Sequence, residues 1–218
     1  MSKTPDTPVA MEDRKVEDGR LYSPSAARNR AAIAEVFGRV LPARARVLEI
    51  GSGTGEHAVA VCQARPDIRW QPSDPDPVSR ASQAGWARES GAAISAPLAL
   101  DLLTGEAVSD LAPFDVLVCM NVIHIAPWAV AENLARLAAE RLQPGGRVVL
   151  YGPYKEGDAT APSNLDFDAS LKSRNPAWGV RDLDSVITLF AEAGFALAER
   201  VEMPANNLLL VLSTPETR

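Results

Sequence analysis

No apolar run in the sequence reaches the roughly 18 residues that a membrane-crossing helix needs, so no bilayer-spanning segment is predicted. Met1 to Asp18 is polar and contains no apolar stretch of signal-peptide type, which points to a cytoplasmic protein. Cysteine is scarce. Cys62 and Cys119 each sit inside an apolar run, so two buried reduced thiols are expected rather than a disulfide framework. Histidine is equally scarce, with only His57 and His124 and no paired Cys or His spacing, and no metal site is predicted. Basic residues are in deficit. Against 28 Asp and Glu stand 22 Lys and Arg, a net charge of −6, and this excludes partners held by phosphate neutralisation, nucleic acid above all. There is no internal repeat.

What is present suits a self-folding globular chain: 46% hydrophobic and 23% charged residues over 218 positions, enough for one domain and too few for two. Residues 1–20 lack apolar periodicity and read as a flexible tail, with the domain in 21–218. Ser23-Pro24 marks a helix start, and Ile33, Val36, Phe37 and Val40 follow at helical spacing. From Arg46 onward short apolar runs alternate with helical stretches, the signature of a parallel sheet covered on both faces. The runs are Val47 to Ile50, Ile68 to Gln71, Pro97 to Leu100, Val116 to Met120, Val148 to Tyr151, Phe195 to Val201 and Leu208 to Leu212. Between the last two only Glu202 to Asn207 intervenes, too short for a crossover helix, so they form an antiparallel hairpin. The fold predicted is α/β: a Rossmann-like, seven-strand, mostly parallel sheet with helices on both faces and a C-terminal antiparallel hairpin.

The segment Arg46-Val47-Leu48-Glu49-Ile50-Gly51-Ser52-Gly53-Thr54-Gly55-Glu56 runs from a strand through a glycine-rich turn into a helix, the place where open α/β sheets bind nucleotides. A dinucleotide fingerprint starting at Gly51 needs glycine at 56, where Glu56 stands, and shifting the frame to Gly53 also fails. Glu49 beside the turn would repel a pyrophosphate yet suits a ligand carrying an ammonium and a sulfonium. This Glu-x-Gly-x-Gly-x-Gly pattern resembles the first motif of class I S-adenosylmethionine-dependent methyltransferases. Asp74 follows at the spacing of a ribose-binding acid, with Asp76 as its rival and helix capping as the plain alternative for either. Asp101-Leu102 stands where such methyltransferases place an acid for the adenine amino group. Asn121 closes the fourth strand and faces the methionine end. The expected cofactor set is therefore Glu49, Gly51, Ser52, Gly53, Thr54, Gly55, Asp74, Asp101, Leu102 and Asn121, and the cofactor S-adenosylmethionine.

Over Tyr22 to Leu212 the chain also resembles a methyltransferase-like family known as a domain of unknown function. The resemblance rests on Ser23-Pro24 with Arg28-Asn29, Leu48 to His57, Trp70 to Asp74, and Asn121 to Trp128. It continues through Tyr151-Gly152-Pro153-Tyr154-Lys155, Ala161 to Asn164, Phe167 to Leu171, Trp178 to Asp182 and Met203 to Asn207. It implies the fold and a cofactor site, and leaves the substrate open.

Residues 152–179 form a long connection containing Tyr154, Phe167, Leu171 and Trp178, groups a solvated linker does not need, so an ordered lid is expected. Substrate contacts are expected from Arg28, Asn29, Tyr151, Asn164, Arg174, Trp178, Asn206 and Asn207, a lining suited to a small polar molecule. His124 is the expected general base by residue type, with Tyr154 and Asp168 as further catalytic candidates. The Asp/Asn-Pro-Pro-aromatic signature of nucleic acid amino-methylation is absent, Asn121-Val122-Ile123-His124 standing in its place. The function predicted is methyl transfer to a small polar molecule by a monomer or homodimer. The alternative is a regulatory or interaction protein that binds the cofactor without turnover.

Overall fold

The computed structural model describes residues 14–104 and 111–214. The elements run β1 (Lys15–Glu17), β2 (Arg20–Tyr22), α1 (Pro24–Val40), β3 (Arg46–Ile50), α2 (Glu56–Ala64), β4 (Arg69–Ser73), α3 (Pro77–Ser90) and β5 (Phe114–Met120). There follow α4 (Trp128–Arg141), β6 (Leu142–Lys155), α5 (Pro162–Arg174), β7 (Arg181–Asp182), α6 (Leu183–Glu192), β8 (Ala196–Met203) and β9 (Asn207–Ser213). A seven-stranded sheet has the order β4-β3-β5-β6-β9-β8, with β7 pairing the far end of β6. Pairing is parallel through β4, β3, β5, β6 and β7, and β9 runs against both β6 and β8. This is the predicted sheet, closed by the predicted hairpin.

Strand periodicity divides the core. Val47, Val116, Val118 and Val149 join Ile33 and Phe37 of α1 and Val61 of α2 in one cluster. Their chain neighbours Leu48, Leu117, Cys119, Val148 and Leu150 pack on the other face with Leu134 of α4 and Phe190 of α6. Each fully buried Leu, Ile or Phe contributes about 1.5–3 kcal/mol of transfer free energy, so these two faces hold the sheet. Cys62 and Cys119 lie in opposite clusters, both buried and free, and burial pushes both thiols up to about 12.

Two expectations need correcting. Pro97 to Leu100 is not a strand: only isolated bridges, Trp70 with Ile94 and Ser73 with Leu98, tie this segment to β4. Pro72 and Pro97 carry no N–H, so a continuous ladder cannot form between them, and β7 supplies the seventh strand instead. The tail expected over 1–20 is a β1–β2 hairpin where it is described, from residue 14, and residues 1–13 lie outside the described residues. The hairpin is tied to α3, because Leu21 N–H donates to Ser82 Oγ (2.8 Å) and Trp86 Nε1 donates to the Leu21 carbonyl (3.0 Å).

Candidate active site

Parallel strands end together. Ile50 is level with Ser73 and Cys119, and Met120 with Tyr151, so the glycine turn, Asp74 and Asn121 stand in one row at the strand ends, level with Tyr151 on β6, which itself runs on to Lys155. Gly51 has a φ of +65°, and a Cβ there would lie 2.5 Å from Cγ2 of Val122, so both backbone hand and space demand glycine. Ser52 and Thr54 point inward and stitch the turn down. Ser52 Oγ accepts from Ser73 N–H (3.2 Å), and Thr54 Oγ1 donates to Glu56 Oε2 (3.0 Å). Gly55, also left-handed, caps α2.

Asp74 and Asp76 take different parts. Asp76 caps α3, accepting from Val78 and Ser79 N–H at 3.1 and 3.0 Å. Asp74, buried at the strand end, accepts Gly53 N–H (2.9 Å) and Asp76 N–H (3.0 Å), and burial raises its pKa. Glu49 lies below the turn rather than in the crevice: it is buried, accepts from Trp70 Nε1 (2.9 Å), and desolvation raises its pKa to about 7. Half-buried Asp101 accepts from Leu103 N–H (2.8 Å), while the Leu102 side chain is core and its carbonyl receives Asn133. Asn121 adopts a φ of +61° at the end of β5, and its N–H donates to the Tyr151 carbonyl (2.8 Å).

Two residues that the sequence reading assigned no role complete the edge where α1 meets α2. Buried Glu56 accepts from Ser23 N–H (2.7 Å) and lies 3.8 Å from Arg30, pinning the two helix starts together. His57 Nε2 is 2.8 Å from Asn29 Oδ1, and Asn29 Nδ2 donates to Tyr151 Oη (3.2 Å). The available signal was position: both occupy the first turn of the helix that leaves the glycine turn, facing the start of α1.

On the other face of β6 the catalytic expectations fare differently. His124 is 1% exposed, its Nδ1 accepts the Arg181 N–H at 3.4 Å, and burial drives its pKa down to about 3. Its Nε2 has no partner among the described residues and lies 2.5 Å from where a Cβ on Gly152 would be. The ring is therefore tucked under β6, and so weak a base is a poor proton acceptor at neutral pH. Tyr154 is packed edge-on against it at 5.3 Å, fully buried, with its hydroxyl unpartnered among the described residues and its pKa raised by burial. Asp168 is held by Lys155 (2.9 Å), Lys172 (2.7 Å) and Val180 N–H (2.9 Å), contacts that bind it as an ion-pair hub and keep its pKa low.

The expected substrate residues scatter for the same reason. Asn164 Nδ2 donates to the carbonyls of Tyr154 (3.2 Å) and Asn206 (3.0 Å), and Asn206 Nδ2 donates to Ser163 Oγ (2.9 Å). Asn207 Nδ2 donates to the Pro204 carbonyl (2.9 Å). Asn164 and Asn206 thus clasp α5 to the three-residue β8–β9 turn Pro204-Ala205-Asn206, which Asn207 stitches internally and in which Ala205 and Asn206 both have positive φ. Trp178 packs with Leu171 and Val180, Arg174 lies on the exposed last turn of α5, and exposed Arg28 bonds Ser25 (3.0 Å). A separate surface cavity of about 710 Å3 opens between α4 and α6, with Trp128, Lys155, Lys172 and Arg181 in its wall, and shares no residue with the glycine turn or Asp74.

The structure is similar to that of an O-methyltransferase family protein from Burkholderia thailandensis, with TM-score 0.75, 18% identity, and 89% of this chain covering 57% of that one. It is also similar to an O-methyltransferase family 2 protein from Planctomyces limnophilus solved with apigenin (TM-score 0.73, 22% identity, 87% of this chain and 60% of that one). A third match is the S-adenosylmethionine-dependent methyltransferase SibL (TM-score 0.70, 24% identity, 88% and 56%). The chain thus spans a little over half the length of these enzymes, and the likeness shows the fold. The family model described as "Protein of unknown function (DUF938)" matches residues 20–214, and the chain belongs to that family, built on the methyltransferase fold.

Proposed function

We propose that the protein binds S-adenosylmethionine across the ends of β3, β4 and β5 and transfers its methyl group to a small polar molecule. The observation that carries this reading is the buried Asp74 carboxylate beside a glycine turn, hydrogen-bonded to Gly53 N–H at 2.9 Å. A ribose laid on the turn meets that carboxylate, while the turn itself presents backbone and no bulky side chain. The residues fit this cofactor better than a dinucleotide: Glu56 stands at the first position of α2, where the dinucleotide fingerprint needs its third glycine.

S-adenosylmethionine supplies a methyl group activated on a sulfonium. The chain's part is to bind, orient and exclude water, since the displacement releases a neutral thioether and needs no acid for the leaving group. Gly51 to Gly55 and Asp74 hold the nucleoside, Asp101 and Leu102 stand on the adenine side beyond β4, and Asn121 orients the methionine end. Of the lid expected over 152–179, residues 152–155 belong to β6, and residues 156–179, carrying α5, serve as the lid. His124, buried and neutral, supports the end of β6 and takes no proton from the acceptor. The acidic balance disfavours nucleic acid as acceptor, and the fold neighbours described as O-methyltransferases put an oxygen atom first among acceptor groups.

The test is transfer of tritium from methyl-labelled S-adenosylmethionine to a panel of small hydroxyl, carboxyl and amine compounds, alongside calorimetric titration with the cofactor. Binding with transfer supports the reading, and tight binding without transfer to any compound favours the regulatory alternative. Binding of NAD with no response to S-adenosylmethionine would overturn it.

A further inference from the structure

The series His57, Asn29 and Tyr151 takes no part in holding the glycine turn, and its direction follows from the Asn29 amide. Asn29 Nδ2 donates to Tyr151 Oη (3.2 Å), so Oδ1 is the acceptor turned toward His57, and His57 Nε2 carries the proton between them (2.8 Å). Burial and the nearby Arg30 cation lower the His57 pKa to about 4, so the imidazole is neutral at pH 7. Burial raises the Tyr151 pKa, so its hydroxyl stays protonated. The series of neutral donors ends on one O–H, for which no acceptor is found among the described residues.

That hydroxyl lies along the row of strand ends from the ribose acid. Asp74 follows β4, the glycine turn follows β3, Asn121 follows β5, and Tyr151 lies on β6 level with Met120, the last residue of β5. Neighbouring strands are about 4.8 Å apart, so β4 and β6 are separated by about 14 Å, which two side chains shorten to the length of an extended nucleoside with an amino-acid arm. A cofactor with its ribose at Asp74 and its methionine end past Asn121 therefore brings its charged terminus to Tyr151. Glu56, the carboxylate beside His57 on α2, is buried and already answered by Ser23 N–H, the Thr54 hydroxyl and Arg30, so it does not present a bare charge to that terminus.

Resting on the cofactor reading above, we propose that Tyr151, oriented through Asn29 by His57, hydrogen-bonds the α-carboxylate of S-adenosylmethionine. Tyr151 touches the cofactor, and Asn29 and His57 are positioning residues. Asn29 and Tyr151 thereby move from the substrate, where the sequence reading put them, to the methyl donor.

The experiment compares S-adenosylmethionine with its decarboxylated form, which lacks only that carboxylate, by calorimetry on the wild type and four variants. The wild type is expected to prefer the carboxylate-bearing ligand by about tenfold or more, the scale of a hydrogen bond to a charged group. Tyr151→Phe keeps the packing, and should erase most of that preference while leaving the decarboxylated ligand within about twofold. Asn29→Asp, which keeps the acceptor for His57 and removes the donor to Tyr151, should do the same. His57→Ala should erase part of the preference, and His57→Gln, which restores an N–H donor, should recover it. Equal losses for both ligands in Tyr151→Phe, or no preference in the wild type, would overturn this assignment alone. Failure of the wild type to bind S-adenosylmethionine at all would overturn the cofactor reading with it.

Discussion

The two ends of the strand row behave differently. At β3 and β4, Gly51 to Gly55 and Asp74 stand at the carboxyl edge of the sheet, with turn and carboxylate directly bonded. Around the end of β6, His124, Tyr154 and Asp168 lie below the surface, one neutral under the strand, one with an orphaned hydroxyl, one clamped by two lysines. A contiguous motif carries its own geometry, because the strand, the turn and the helix that follow fix where each residue goes. Residues gathered from distant segments depend on strand parity and packing. Tyr151 and Tyr154 are three residues apart on one strand, so they face opposite sides of the sheet, Tyr151 toward α1 and Tyr154 toward α6.

The contrast can be broken most forcefully at Gly51. Alanine there meets Val122 and needs a left-handed backbone, so Gly51→Ala should cost roughly 1–3 kcal/mol of stability and abolish cofactor binding, measured by urea unfolding and calorimetry. Next, Asp74→Ala should weaken S-adenosylmethionine by roughly 1.5–3 kcal/mol, the scale of losing hydrogen bonds to a charged acceptor. Asp76→Ala should instead lower stability by roughly 0.5–2 kcal/mol as a lost cap, with affinity little changed. A larger affinity loss at Asp76 than at Asp74 would reverse their roles.

At the β6 end the effect is on stability and pH. His124 is depressed from 6.5 to about 3, so between these values the unfolded chain binds the extra proton. The stability it contributes is complete above pH 6.5 and is lost as pH falls, at about 1.4 kcal/mol per pH unit. His57, depressed to about 4, acts in the same sense. Glu49, raised to about 7, acts in the opposite one, its contribution complete below 4.5 and lost as pH rises through 7. Urea unfolding from pH 7 to 4 should therefore give a shallower acid loss in His124→Asn than in the wild type. Identical slopes would mean a solvated His124. The smallest effect is expected at Arg28→Ala, an exposed side chain bonded to Ser25 within its own helix turn, with changes in stability within about 0.5 kcal/mol and unaltered cofactor affinity.

Much of the fold was legible because its signals are local. Ser23 and Pro24 open α1 as read, the glycine turn leads into α2 at Glu56 as read, and the link Glu202 to Asn207 could only be a hairpin. Pro97 to Leu100 misled, since an apolar run says nothing about missing donors on its partner, and Pro72 lies on another segment. At the site, the turn and Asp74 were readable from spacing. Glu56 and His57 were not, because their partners Ser23, Asn29 and Arg30 lie some 30 positions earlier and meet them only where α1 packs on α2. The amides Asn164, Asn206 and Asn207 suggested a polar pocket by type alone, and satisfying turn and helix-end backbone claimed them first.

The central claim is that S-adenosylmethionine lies along the strand ends with its ribose on β4, and a crystal structure with S-adenosylhomocysteine tests it most directly. The account predicts ribose hydroxyls within hydrogen-bond reach of Asp74 and the amino-acid arm running past Asn121 toward Tyr151. A ligand seated in the cavity between α4 and α6, or one with its ribose away from Asp74, would contradict it.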